Sequence, residues 1–193
     1  MDAALKDTAA SLVSEDSAER NRAWRQLYDA HFASVYRLAC RNGVLAADAE
    51  EIAQKVFCIA HRKVSSAMEL KNVSGWIYGI TLRVVSQHYR WQRVRRLKSW
   101  MLPHGDGVIP NPEPLPDATV NNADLRAQVN WVLSVMSPKL REVLVLVEME
   151  DMRPQDVAEV LGIPSNTVRS RRRLAHEEFQ RRWQQYSEVR RDD

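Results

Sequence analysis

From Asp156 to Arg173 the chain reads DVAEVLGIPSNTVRSRRR, a set of residue types suited to gripping a polyanion. Ala158 supplies a small residue where two helices touch, Gly162 a residue free to take positive φ at a turn, and Val168 a branched apolar residue in a second helix. That is the spacing of a helix-turn-helix. The second helix presents Ser165, Asn166, Thr167, Arg169, Ser170, Arg171, Arg172 and Arg173 from its first turns. Short polar side chains bond phosphates or base edges, and arginine grips guanine bidentately. A plain helical hairpin would also place a glycine at its turn, but it has no need of the arginine cluster.

Charge distribution supports the same chemistry. The net charge is only +3, yet residues 83–98 hold Arg83, Arg90, Arg93, Arg95, Arg96 and Lys98 with no acid, a local +6. Residues 169–182 carry a local +4, which leaves the rest of the chain at −7. Two compact basic stretches on an acidic background are what displacement of counterions from a phosphate backbone requires. The alternative for either stretch is a solvated helix face.

Other chemistries find little support. His31, His61, His88, His104 and His176 lack metal-ligand spacing, and no glycine-rich phosphate loop or paired nucleophile and base is present. The expectation is therefore no metal, no cofactor and no enzymatic activity. Cys40 and Cys58 form no C-x-x-C pair and fall near apolar helical positions, as core or partly buried thiols would. Trp24, Trp76 and Trp131 read as core, whereas Trp91 and Trp100 have basic neighbours.

The elements that must position these residues read as helices. In 193 residues, 45% hydrophobic and 27% charged, there are only six Gly and eight Pro, few turn formers for a β-rich fold. The longest apolar runs are short, Val143 to Val147 being five residues, where a membrane span needs about twenty. Residues 1–21 resemble no secretion signal, so a cytoplasmic location without membrane insertion is expected. Helical spacing over 21–42 places Trp24, Leu27, Tyr28, Phe32, Val35 and Leu38 on one face, ended by Asn42-Gly43. Asp48 and Glu51 suggest a capping box for a second helix with Ile52, Ala53, Val56, Phe57 and Ala60 inward. After a polar connection over 65–73, Ser74 is placed to cap a third helix carrying Trp76, Ile77, Ile80 and Val84.

Five of the eight prolines fall between Pro103 and Pro116, which excludes helix and leaves an extended connector, acidic along its length. Beyond it, Leu125, Val129, Val132, Leu133 and Met136 keep helical spacing. Ser137-Pro138 and Arg153-Pro154 each open a further helix, and one of Ser165, Asn166 or Thr167 caps a last one through Phe179. The expected architecture is all-α: two small helical domains joined by a proline-rich linker.

With these elements in order, the chain resembles an extracytoplasmic-function (ECF) sigma factor of the sigma-70 family, the minimal two-domain class of bacterial initiation factors. The resemblance rests on Asp48 to Phe57, similar to the core-polymerase-binding helix, and on Trp76 to Ile80, similar to the opening of the promoter-melting helix. It rests also on Leu140 to Leu146 and on Asp156 to Arg171, which follow the family's C-terminal pattern. It implies an N-terminal extension over 1–21, a region-2-like domain over 22–98, a linker over 99–119, a region-4-like domain over 120–183 and a tail over 184–193.

The same resemblance assigns roles. Ser165 to Arg173 would enter the major groove of a −35 element. Asp48, Glu50, Glu51, Gln54, Lys55 and Phe57 would dock on the polymerase clamp, with the second domain near the flap. Lys71, Asn72, Arg83, Gln87, His88, Arg90, Trp91, Arg93, Arg95 and Arg96 would engage a −10 element, catching an unstacked base and holding the neighbouring strand by stacking and charge. The implied partners are RNA polymerase core, promoter DNA and an anti-sigma factor, with the free chain a monomer. Lys55, Gly79, Arg83 and Gln87 depart from the residue types common at those positions. Two other readings share these features: a stand-alone helix-turn-helix regulator, which would dimerise on a palindrome, and a helical adaptor protein.

Overall fold

The computed structural model describes residues 17–63, 72–100 and 123–189. Among them are seven α-helices and no strand: α1 (Ser17–Arg41), α2 (Ala46–Arg62), α3 (Val73–Trp100), α4 (Ala123–Val135), α5 (Pro138–Leu144), α6 (Pro154–Leu161) and α7 (Ser165–Val189). A single π turn, Val145–Met149, continues α5. The expected all-α class is what the chain adopts. Lys71 and the connector from 101 to 122 lie outside the described residues.

Helices α1, α2 and α3 pack on one another. Helix α2 buries Ala49, Ile52, Ala53, Val56, Phe57 and Ala60, a stripe at three- and four-residue steps. Leu27, Val35 and Leu38 of α1 and Ile77 of α3 are fully enclosed with them. At the end of α1, Gly43 takes φ +93° and Val44 N–H donates to Ala39 O, so the Asn42-Gly43 stop falls where the sequence places it. Helix α3 is buried on more than one side, for Tyr78, Thr81, Leu82 and Val85 are enclosed as well as Ile77, Ile80 and Val84. It packs against α1 and α2 and also against α6 of the C-terminal half.

The C-terminal half packs α4, α5 and α6 against the long α7. Val132, Leu133, Val143, Val145, Leu146, Val157 and Val168 are almost wholly buried. The Val/Leu run that could form a strand in isolation is helical, and within it the chain widens. Glu150 N–H donates to Val145 O at 3.1 Å, an i→i+5 bond. The widened turn delivers the chain to Asp151, which sits at φ +51°. Pro138 and Pro154 each occupy the first turn of their helix, as expected.

Several helix ends differ from expectation. Helix α2 starts one turn ahead of the anticipated cap, with Leu45 at the N-cap and Asp48 inside the first turn. Ser74 lies within α3; the cap is Asn72, whose Oδ1 accepts from Gly75 N–H at 2.8 Å. Ser165 begins α7, and it is Pro164 O that accepts from Thr167 N–H and Val168 N–H at 2.9 and 3.1 Å. Helix α7 runs ten residues past Phe179, to Val189, because Trp183 stacks on Phe179 and Tyr186 meets Trp131 of α4 at 5.1 Å between ring centres. Cys58 is exposed rather than core, while Cys40 is partly buried.

Candidate nucleic-acid interface

The turn between α6 and α7 is built by its backbone. Gly162 takes φ +64°, and Ile163 N–H reaches Ala158 O at 3.0 Å while Gly162 N–H reaches Glu159 O at 3.3 Å. These paired bonds satisfy the last carbonyls of α6 and turn the chain into α7. Val168 and Ala175, seven residues apart, are wholly buried and fix which face of α7 is inward. The opposite face carries Asn166, Arg169, Ser170, Arg172 and Arg173, all exposed, with Ser165, Thr167 and Arg171 half-buried beside them.

The four arginines in the first turns of this helix differ in their surroundings. Arg172 Nε donates to Glu148 Oε1 at 2.7 Å, and His176 Nε2 meets the same oxygen at 2.9 Å. Partial burial works against ionisation of Glu148, but these two partners outweigh it and hold its carboxyl below the usual range. Arg173 pairs with Glu177 one turn on. Arg171 lies within electrostatic reach of Glu142, whose pKa is raised by burial against that attraction. Arg169 takes part in no ion pair with another described residue.

On the N-terminal half, Arg83, Gln87 and Arg90 fall on one exposed stripe of α3 at four- and three-residue steps. Trp91 beside them is 71% exposed, an unusual position for a large aromatic ring on a soluble helix. His88 is half-buried, bonded to Gln92 at 2.8 Å and 3.5 Å from Asp48 of α2. Arg93, Arg95 and Arg96 lie on the distal turns of α3, and their side chains are outside the described residues. Asn72 is half-buried and commits one oxygen to its cap.

Helix α2 exposes Glu50, Glu51, Gln54 and Lys55, with Asp48 half-buried at its start. Lys55 pairs with Glu51 one turn away, and this hydrogen bond, with the charge behind it, lowers the Glu51 pKa. Phe57 is not on that face. It packs against Tyr28 at 4.7 Å between ring centres and Phe32 at 6.3 Å, so it supports the helix from below rather than offering a contact.

Sequence reasoning missed the groups that join the halves. Arg141 is buried, donates to Leu133 O at 3.0 Å, and lies beside the Tyr89 hydroxyl. Tyr89 in turn donates to Asn42 O at 3.2 Å. Arg41 and Glu150 form an ion pair at 2.7 Å. A cavity of about 790 Å³ opens between α1 and α4, lined by Phe32, Tyr36, Arg37, Arg41, Leu125 and Val129 among others. No group of three or more metal-ligating side chains gathers among the described residues, and none of the described helices is long and apolar enough to cross a membrane.

A family profile described as sigma-70, region 4, matches residues 132–177, the span from α4 into α7. The ECF RNA polymerase sigma factor SigE of Mycolicibacterium smegmatis is 29% identical over 148 residues, covering 77% of this chain and 56% of that protein. The RNA polymerase sigma factor CnrH of Cupriavidus metallidurans is 26% identical over 170 residues, covering 86% of this chain and 89% of that one. The chain as a whole is similar to ECF sigma factors, and residues 132–177 match sigma-70 region 4. In fold, the chain is similar to the sigma factor RpoE, solved in complex with the anti-sigma factor NepR from Bartonella quintana. The TM-score is 0.66 at 20% identity, over 83% of this chain and 96% of that one. The chain spans a little over half of the SigE relative's length but most of CnrH's.

Proposed function

We propose that the chain is an initiation factor that binds RNA polymerase core and directs it to particular promoters. The observation that carries this reading is the α6–α7 unit. A left-handed Gly162 and a buried Val168 turn a row of polar and cationic side chains outward from the first turns of α7. A helix so presented suits the major groove of a −35 element, with Arg169 and Arg171 the groups best placed to read base edges.

The exposed stripe of Arg83, Gln87, Arg90 and Trp91 on α3 suits the −10 element, where charge and an aromatic face hold DNA that is opening. The acidic face of α2 suits a basic surface of the polymerase clamp. The domain limits suggested by the sequence, 22–98 and 120–183, enclose these two reading heads. On this reading the polymerase performs all the chemistry and the factor is a cytoplasmic monomer, neither an enzyme nor membrane-inserted. An anti-sigma factor would hold it inactive, as expected from the relatives solved with such partners.

The test is titration of labelled chain into sigma-free core, with a primary sigma factor as competitor. Saturable and competable binding supports the reading. Specific binding to duplex DNA alone, with none to core, would replace it with a stand-alone regulator.

A further inference from the structure

We infer that the chain holds itself shut without a partner, through a latch of Glu150 between Arg41 and Tyr78 and a seat for Val160 on the glycines of α3. The closed arrangement itself rests on the contacts alone. Its consequence for polymerase binding rests on the function proposed above.

The latch crosses from one half to the other. Glu150 comes after the π turn, and its carboxylate lies 2.7 Å from Arg41 Nη1 on the last residue of α1. Its side chain is only 7% exposed, with Arg41 at 24%. The Tyr78 hydroxyl of α3 lies beside the same carboxylate, which disfavours its ionisation. An ion pair so far removed from water is costly to break from one side, because the partner is left buried and uncompensated. The backbone that presents Glu150 is itself irregular. A π turn precedes it and a left-handed Asp151 succeeds it. Such irregularities persist where surrounding contacts enforce them, and here those contacts lie across the seam.

The seat is a second contact between the halves. Val160 of α6 rests where α3 has no side chains: a Cβ on Gly75 would come 3.3 Å from Val160 Cγ2, and one on Gly79 would lie 3.7 Å from Val160 Cγ1. Four residues apart, the two glycines form a flat strip along one face of α3. A third contact lies further along the seam, where the Arg141 guanidinium meets Tyr89 and approaches Gly43. Three contacts that involve both α1 and α3 prevent the halves from pivoting about any one of them.

Closure places α6 on the first two turns of α3, directly after the segment expected to catch an unstacked base. DNA and the helix-turn-helix then compete for that end of α3. A state that must open before it engages polymerase binds with an apparent Kd raised by the reciprocal of its open fraction.

The experiment uses the full-length chain, with two variants that open the seam by different means. Glu150→Gln removes the latch charge. Gly79→Arg unseats Val160 while replacing a mid-helix glycine with a better helix former, so α3 itself is not weakened. Small-angle scattering of the chain alone measures closure, circular dichroism verifies folding, and titration with polymerase core measures its consequence. The expected result is a compact wild-type particle, a larger radius of gyration for each folded variant, and core binding tightened about tenfold or more. An extended wild-type particle, or folded variants as compact as wild type, overturns the latch. Expanded variants that bind core no better overturn its gating role. If no form binds core at all, the scattering still decides the latch, and it is the proposed function that fails.

Discussion

Arg172 Nε and Glu148 Oε1 lie 2.7 Å apart, tying the outward face of α7 to the π turn at the end of α5. The pair divides the basic cluster of that helix into two kinds of arginine. Arg172, held by Glu148, braces the helix-turn-helix. Arg169 carries no such obligation.

This division predicts unequal effects of truncation. Arg169→Ala and Arg171→Ala are expected to lower promoter-dependent transcription about tenfold or more, the loss of a bidentate base or phosphate contact, with core affinity unchanged. Arg172→Ala should affect transcription less and lower stability by about 0.5 kcal/mol, as for a partly exposed ion pair. In vitro transcription beside a core-binding titration checks both. Parallel loss of core binding in the first two variants would remove α7 from DNA.

Gly162 offers a purely conformational test. No atom lies within 4 Å of where its Cβ would stand, so Gly162→Ala meets no clash and suffers only the strain of a left-handed backbone. The expected cost is about 1–2 kcal/mol, with Gly162→Asn milder. Denaturant midpoints measured at constant m-value report it.

His31 makes stability depend on pH. Its ring is buried, Nε2 has no hydrogen-bond partner, and burial pushes its pKa below the usual 6.5. The folded chain keeps it neutral while the unfolded chain protonates near the ordinary value. Its contribution is therefore fully present above about pH 6.5 and is lost as pH falls below that value toward the lower folded pKa, at up to about 1.4 kcal/mol per pH unit. Melting temperatures between pH 7.5 and 5.5 should decline, and His31→Leu should flatten that decline. An unchanged slope in the variant would assign the decline to other groups.

The two thiols should separate kinetically. Cys58 is exposed, whereas burial pushes the Cys40 thiol up to about 11. An aromatic disulfide reagent at pH 8 should titrate one thiol quickly in the native chain and the second only on unfolding, since the thiolate is the reactive form. Cys58→Ser should abolish the fast phase.

Much of the fold was legible because its signals are local. Ala158, Gly162 and Val168 specify a turn within eleven residues, and Asn42-Gly43 ends α1 in two. The misplaced helix starts have a common cause: several residues near each start could cap, and the choice falls to packing. Leu45, Asn72 and Pro164 take those positions. The extension of α7 was available in the spacing of Phe179, Trp183 and Tyr186, a continuing helical face. By contrast, Arg41 and Glu150 stand 109 residues apart, and no periodicity links them. The site shows the same limit. That polar and cationic residues crowd the first turns of α7 followed from their types and order, but the engagement of Arg172 by Glu148 depends on a widened turn that an apolar run does not announce. The spacing places Phe57 inward with Ile52 and Val56, as found, whereas the docking role that the family resemblance implies for it beside Lys55 does not fit its buried ring.

The widened turn at Val145–Met149 makes this region sensitive to length more than to side-chain identity. An i→i+5 turn holds one residue more than an α-helical one, so the segment tolerates an apolar substitution but not a change in residue count. Removing a single residue there leaves too few to span the wide turn, so the turn must tighten and the residues within and just after it must shift. Glu148 would leave Arg172 and Glu150 would leave Arg41 in one step. A deletion of one codon would thus undo two distant contacts that no single substitution disturbs together.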